Sequence, residues 1–382
     1  MSVQPFSLPY SQAAVEDLRA RLAQTRWPDE IPSSGWEYGA ELKYMRRICA
    51  YWKDQFDWKA QVEQMSRFHH FRYTDGGVGI HFIHERGKGP SALPLVITHG
   101  WPGSFLEMLK IIPMLTDPAA HGGDPADSFD VVVPSLPGYG FSDRPAQRGM
   151  NTFRIAELWV GLMAELGYRR FGAQGGDWGA NVSSVLGLRH REHIVGVHLN
   201  YIPGSYLPYL GPGTAISQDE QAFLKDANRW EQDFGAYGHV QATEPQTVAY
   251  ALNDSPAGLA AWILEKFRDW ADCGGDLRRR FTDNELLSNV TLYWMTQTIH
   301  SSCRLYYEVE RAPLHFQKGE YVSVPCGIAH FPKEDPFPPR CWIERGYNIQ
   351  HWAEMPSGGH FAACEEPELL VNDVREFFRP LR

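Results

Sequence analysis

The 382-residue sequence predicts an α/β fold: a mostly parallel sheet flanked by helices, with an inserted helical cap and an N-terminal helical and hairpin extension. Three observations predict it. Short apolar runs alternate with amphipathic stretches from about residue 91 to residue 200. That rhythm stops near Asn200 and resumes at YVSVPCGIAHF. Before residue 90 the pattern is different, with helix caps followed by a strand–turn–strand signal. The expected organisation is an N-terminal domain (1–90), a first core segment (91–200), a cap (201–318) and a second core segment (319–382).

In the extension, Ser11 caps a helix through Val15, Leu18 and Leu22, and Pro28 stops it within WPDE. A second helix is expected over Glu41 to Phe56. FHHFRYT and GIHFIHE read as strands joined by the turn residues Asp75-Gly76-Gly77. In the core, LPLVITHG, FDVVVPSLPGYG, RRFGAQGG and IVGVHLN read as buried strands. Helices are expected between them over Phe105–Leu115, Thr152–Leu166 and Ala180–Arg189. The block from Tyr201 to Phe316 is helix-rich. After YVSVPCGIAHF come a short strand near Tyr347 to Ala353 and a last helix from Pro367 to Phe378. No internal repeat or low-complexity tract appears.

Composition narrows the function. Hydrophobic residues are 43% and charged residues 21%, with a formal net charge of -10 and no basic stripe, which argues against a nucleic-acid partner. LPLVITHGWPGSF is broken by Pro and Gly and is too short to span a bilayer. No signal peptide is read at the N-terminus, so a cytoplasmic protein without a membrane partner is expected. Cys49, Cys273, Cys303, Cys326, Cys341 and Cys364 are scattered and read as reduced thiols. His69-His70 and His190/His193 lack a ligand frame, and GYGFSD lacks the third glycine of a dinucleotide loop, so neither metal nor cofactor is expected.

The chemistry is carried by GGDWG, residues 175 to 179. It has the form G-x-nucleophile-x-G between a strand (RRFGAQ) and a helix (ANVSSVLGLRH), the context of the nucleophile elbow of α/β-hydrolases. The apex residue is an acid, Asp177. A carboxylate attacks a saturated carbon and becomes the acyl part of an ester, which water must then hydrolyse. That second step needs an oxyanion hole and a base. HGWPGS, at the end of the strand LPLVIT, resembles the loop that supplies one oxyanion N–H, here from Trp101; Trp178 supplies the other. His99 in that loop reads as structural. Among fifteen histidines, His360 in SGGHFAACEEPELL stands out by its place on a Gly-rich loop before the last helix. FPKEDP then offers Glu334 or Asp335 as the acid that orients it.

Taken together, TRWPDEIP, GWEYG, YWKDQFDW, HGWPGS, PGYGFSD, GGDWGA, ALNDSPAGLAAWILEKF and GGHFAACEEPELL resemble the epoxide hydrolases of the microsomal type, over nearly the whole chain. The resemblance implies Asp177 as nucleophile, His360 as base and Glu334 as orienting acid. It also implies two cap tyrosines that protonate the opening epoxide oxygen, Tyr237 in FGAYGHVQATEP and Tyr306 in SSCRLYYEVER, with Tyr307 adjacent to the latter. The implied substrate is a small-molecule epoxide. Aromatic richness suggests a bulky apolar or aryl one, and a homodimer is the default assembly. Two alternatives share this sequence pattern: a haloalkane dehalogenase-like hydrolase and a non-catalytic ligand-binding protein of the same fold. The tyrosine pair, Trp101 in place of the usual Asn, and the intact set of site residues favour the epoxide.

Overall fold

The computed structural model describes residues 2–382. Its strands are β1 (Ser2–Pro5), β2 (His70–Asp75), β3 (Val78–Glu85), β4 (Leu93–Thr98), β5 (Phe129–Pro134), β6 (Phe171–Gly175), β7 (Ile194–Leu199), β8 (Val322–His330) and β9 (Tyr347–Glu354). Among the described residues they form one sheet in the order β1-β2-β3-β5-β4-β6-β7-β8-β9. β1, β2 and β3 pair antiparallel, and β3 runs antiparallel to β5. From β5 to β9 every pairing is parallel. The hairpin expected near residue 75 is therefore part of the central sheet, beside its edge strand β1.

The parallel strands read as unbroken apolar runs because helices cover both faces. Leu95, Val96, Ile97 and Val131 to Val133 are all fully buried. On one face the C-terminal helix Pro367–Phe378 lies close against the sheet: a Cβ on Gly172 would come within 2.6 Å of the Phe378 ring, and one on Gly327 within 2.7 Å of Phe377. Small residues in β6 and β8 thus create the space that two aromatic rings fill.

The insertion between β7 and β8 contains the helices Gln218–Phe234, Ala236–Thr243, Pro245–Leu252, Pro256–Trp270, Asp283–Thr296 and Ile299–Glu310. The N-terminal helices Gln12–Ala23, Leu42–Asp54 and Trp58–Met65 strap this cap in place. Ser11 caps the first through the Ala14 N–H, as its position suggested. Arg47 makes two bonds to Asp283 (2.6 and 3.0 Å), and Gln61 accepts from Ser288 (3.1 Å).

Three local differences from the sequence reading have simple causes. β1 carries four largely exposed residues with no alternation, so nothing marked it as a strand. Phe105–Lys110 is a 3-10 turn ahead of the short α-helix Ile111–Thr116 instead of one helix. The elbow helix starts at Asp177 itself, three residues earlier than the apolar pattern indicated. Among the described residues no helix is long and apolar enough to cross a membrane, and all six cysteines are free.

Candidate active site

Strand β6 ends in Gly175, and the chain turns at once into the helix Asp177–Arg189. Asp177 has φ 47°, a left-handed conformation unusual for a residue with a Cβ. The glycines make the turn possible. A Cβ on Gly179 would lie 1.9 Å from the Thr98 carbonyl oxygen, and one on Gly175 would lie 2.3 Å from the Gly179 carbonyl carbon. The strained turn lifts the carboxylate off the carboxyl end of the sheet, where the cap closes over it.

The two oxygens of Asp177 have different surroundings. Oδ1 accepts from the backbone N–H groups of Trp101 (2.8 Å) and Trp178 (2.7 Å). Oδ2 lies 3.4 Å from His360 Nε2. The Trp101 loop is held from beneath by His99, whose Nδ1 donates to the Gly100 carbonyl (3.0 Å) while Nε2 accepts from the Leu136 N–H (3.1 Å). One acceptor-only and one donor-only partner fix that ring as the neutral Nδ1–H tautomer. Burial holds the His99 pKa down at about 4.

His360 stands on the loop between β9 and the final helices. Its Nδ1 faces both oxygens of Glu334, at 2.9 and 3.1 Å. Glu334 is buried, whereas the adjacent Asp335 is exposed and makes no contact with the ring. Trp270, Phe361 and Tyr201 pack edge-on around the imidazole, with centroids 5.0, 5.1 and 5.7 Å away. Burial opposes a charge on His360, but the Glu334 and Asp177 carboxylates outweigh it and hold the pKa well above the ordinary value. The two carboxylates thus favour the protonated ring in the resting site.

Above Asp177 the cap supplies Tyr237 and Tyr306, with ring centroids 5.9 Å apart at 80°. Trp101 stacks on Tyr237 (5.3 Å, 7°), and Trp178 meets Tyr306 edge-on (4.7 Å, 81°). The same two tryptophans thus present backbone N–H groups to Asp177 and rings to the tyrosines. Burial pushes both phenol pKa values up, which keeps the hydroxyls protonated. Tyr307 points elsewhere, with the Arg311 guanidinium 3.3 Å from its ring centroid.

Asp177 and Tyr237 lie where two lobes of a cavity meet. The smaller, about 210 Å³, runs past His360, Trp270, Trp230 and Phe223. The larger, about 420 Å³, runs past Tyr306, Ser205, His239 and Thr243. Behind the carboxylate a third, small space of about 20 Å³ has room for about one water. Glu107, Gln174 and Asn200 line it together with Asp177 and His360. Burial raises the Glu107 pKa to about 8; His360 opposes the shift and Asp177 adds to it. Glu107 was not legible in the sequence. It follows HGWPGS without a motif of its own, and only the fold turns it back over Gly103, where a Cβ would lie 1.6 Å from its Oε1.

This arrangement can be set beside known proteins. Residues 3–108 match the model of the epoxide hydrolase N terminus, and residues 94–251 match that of the alpha/beta hydrolase fold. The chain is 39% identical over 402 residues to epoxide hydrolase 1 of Sus scrofa, covering 98% of this chain and 88% of that protein. Its structure resembles the juvenile hormone epoxide hydrolase of the silkworm Bombyx mori, with TM-score 0.84, 31% identity and coverage of 100% and 94% of the two chains. It also resembles the Aspergillus niger epoxide hydrolase, with TM-score 0.87, 28% identity and coverage of 100% and 97%. The likeness takes in the N-terminal strap, the sheet and the cap, and with them every element that bears a side chain of the site. With this fold, its cap and a carboxylate on the elbow, the chain belongs to the epoxide hydrolase family.

Proposed function

We propose that the protein converts an epoxide and water to a vicinal diol through an ester on Asp177. The observation that carries this reading is the unequal environment of the two carboxylate oxygens. With Oδ1 held by two N–H groups, Oδ2 is the free nucleophile. It attacks a ring carbon, the C–O bond breaks, and the leaving oxygen takes a proton from Tyr237 or Tyr306. Esterification removes the charge on Asp177. His360 then keeps one carboxylate neighbour instead of two, and its pKa falls towards that of a base. Its proton returns to the tyrosine phenolate, and the neutral ring can then deprotonate a water, with Glu334 fixing its tautomer and Glu107, at the small rear space, positioning the water. Attack on the ester carbonyl puts negative charge on Oδ1, where the Trp101 and Trp178 N–H groups already point. Collapse expels the diol oxygen, which takes the proton from His360, and the acid left on Asp177 gives its own proton to the ring, restoring the carboxylate.

The aromatic lining by Tyr201, Trp230, Tyr237 and Trp270 supports a bulky apolar or aryl epoxide as substrate. The six free thiols are in keeping with a cytoplasmic setting. The test is His360→Gln. Mixed with a styrene-type epoxide, it should gain the mass of one substrate molecule on the peptide containing Asp177, while Asp177→Ala should neither gain mass nor form diol. Steady diol production by either variant would refute the scheme. Release of chloride from haloalkanes, with no diol from any epoxide, would favour the dehalogenase alternative.

A further inference from the structure

Ser205 lines the larger lobe, and its oxygen is committed in an unusual way. Oγ accepts from Asn181 Nδ2 (3.1 Å) and from the Leu314 N–H (3.4 Å). A hydroxyl has two lone pairs, so both are engaged and the remaining capacity of Ser205 is its own proton. Asn181 sits one helical turn after Asp177, at i+4, on the same face of the elbow helix. It is 1% exposed, and its Oδ1 is buried without a partner among the described residues. An orphaned acceptor of this kind costs about 1–3 kcal/mol and calls for an explanation. A free donor and an unpartnered acceptor therefore occur side by side in the lobe that Asp177, Tyr237 and Tyr306 also line. Trp230 borders both lobes, and Phe223 and Trp270 add an apolar wall to the smaller one alone.

We propose that the larger lobe is a subsite for a hydroxyl-bearing substituent, so that the preferred substrate is an internal epoxide with an apolar or aryl group on one ring carbon and a hydroxylated chain on the other. The substrate hydroxyl accepts from Ser205 and offers its own hydrogen to Asn181 Oδ1. This rests on the assignment of Asp177 at the junction as the nucleophile. An epoxide substituted on one carbon only fills one lobe and gains nothing from the Ser205–Asn181 pair.

The test compares kcat/KM for aryl epoxides whose second carbon carries a short chain, with the hydroxyl one to three carbons from the ring, against isosteres that replace the hydroxyl by methyl. Styrene oxide is the one-sided control. The wild-type enzyme should prefer the best hydroxylated member by about three- to tenfold, the worth of one or two hydrogen bonds. Ser205→Ala and Asn181→Leu should each bring that ratio close to one. Ala242→Phe, which narrows the larger lobe, should lower kcat/KM for the two-sided epoxides and leave styrene oxide unchanged. An unaltered hydroxyl preference in both Ser205→Ala and Asn181→Leu would overturn the subsite, as would an equal loss on both substrate classes in Ala242→Phe. Failure of the wild-type enzyme to form diol from any of these epoxides would instead overturn the Asp177 assignment.

Discussion

Acid should loosen this protein through His99, and the size of the effect follows from the site. His99 is 1% exposed, with each ring nitrogen matched to a backbone group that requires the neutral form. Its pKa is about 4 in the folded state, against about 6.5 when unfolded. A histidine held down in this way binds more protons unfolded than folded, so its contribution disappears as pH falls through 6.5 towards 4. Between pH 7 and pH 5 the loss is about 2 kcal/mol. His99→Gln retains an amide oxygen that can accept from Leu136 but does not titrate. Urea unfolding of both proteins at pH 7, 6 and 5 isolates the effect from His70, His81 and His84, whose pKa values burial also lowers. The wild-type protein should lose about 2 kcal/mol more than the variant over that range. Equal losses would show that His99 is not a buried neutral ring beneath the Trp101 loop.

Other substitutions separate the parts of the site. Tyr237→Phe or Tyr306→Phe alone should slow ester formation about 10- to 100-fold, and both together about 1000-fold, in single-turnover measurements with the far-UV spectrum unchanged. Glu107→Gln should leave ester formation intact and slow ester hydrolysis about tenfold, resolved as the second phase of tryptophan fluorescence in stopped flow. Gly179→Ala should cost about 1–3 kcal/mol in urea unfolding, because its Cβ would press on the Thr98 carbonyl at 1.9 Å.

The core was legible in the sequence because its signals are local and chemically demanding. Only glycine fits at positions 175, 176 and 179 of the elbow, and only buried strands read as LPLVIT and FDVVVP. Choices between neighbouring residues rested on the family resemblance and not on the residues themselves. Glu334 and Asp335 are adjacent acids, and burial of the first against His360 with exposure of the second separates them. Tyr306 and Tyr307 are successive residues on one helix, so they point in different directions: one towards Trp101 and Trp178, the other towards Arg311. Groups that act through tertiary placement left no trace in the sequence. Glu107, Ser205 and Asn181 lie in separate segments, and only the closing of the sheet and cap brings them to the cavity. β1 was missed for the same reason, since an edge strand gains its pairing from β2 and not from its own pattern.

The most direct measurement is a single turnover in ¹⁸O-labelled water with enzyme in excess over epoxide. Ester hydrolysis by attack on the carbonyl leaves the water oxygen on the enzyme, so the peptide containing Asp177 should gain one ¹⁸O and the first diol should contain none. Label in the diol, with Asp177 unlabelled, would mean that water opens the epoxide directly and that no ester forms on this carboxylate.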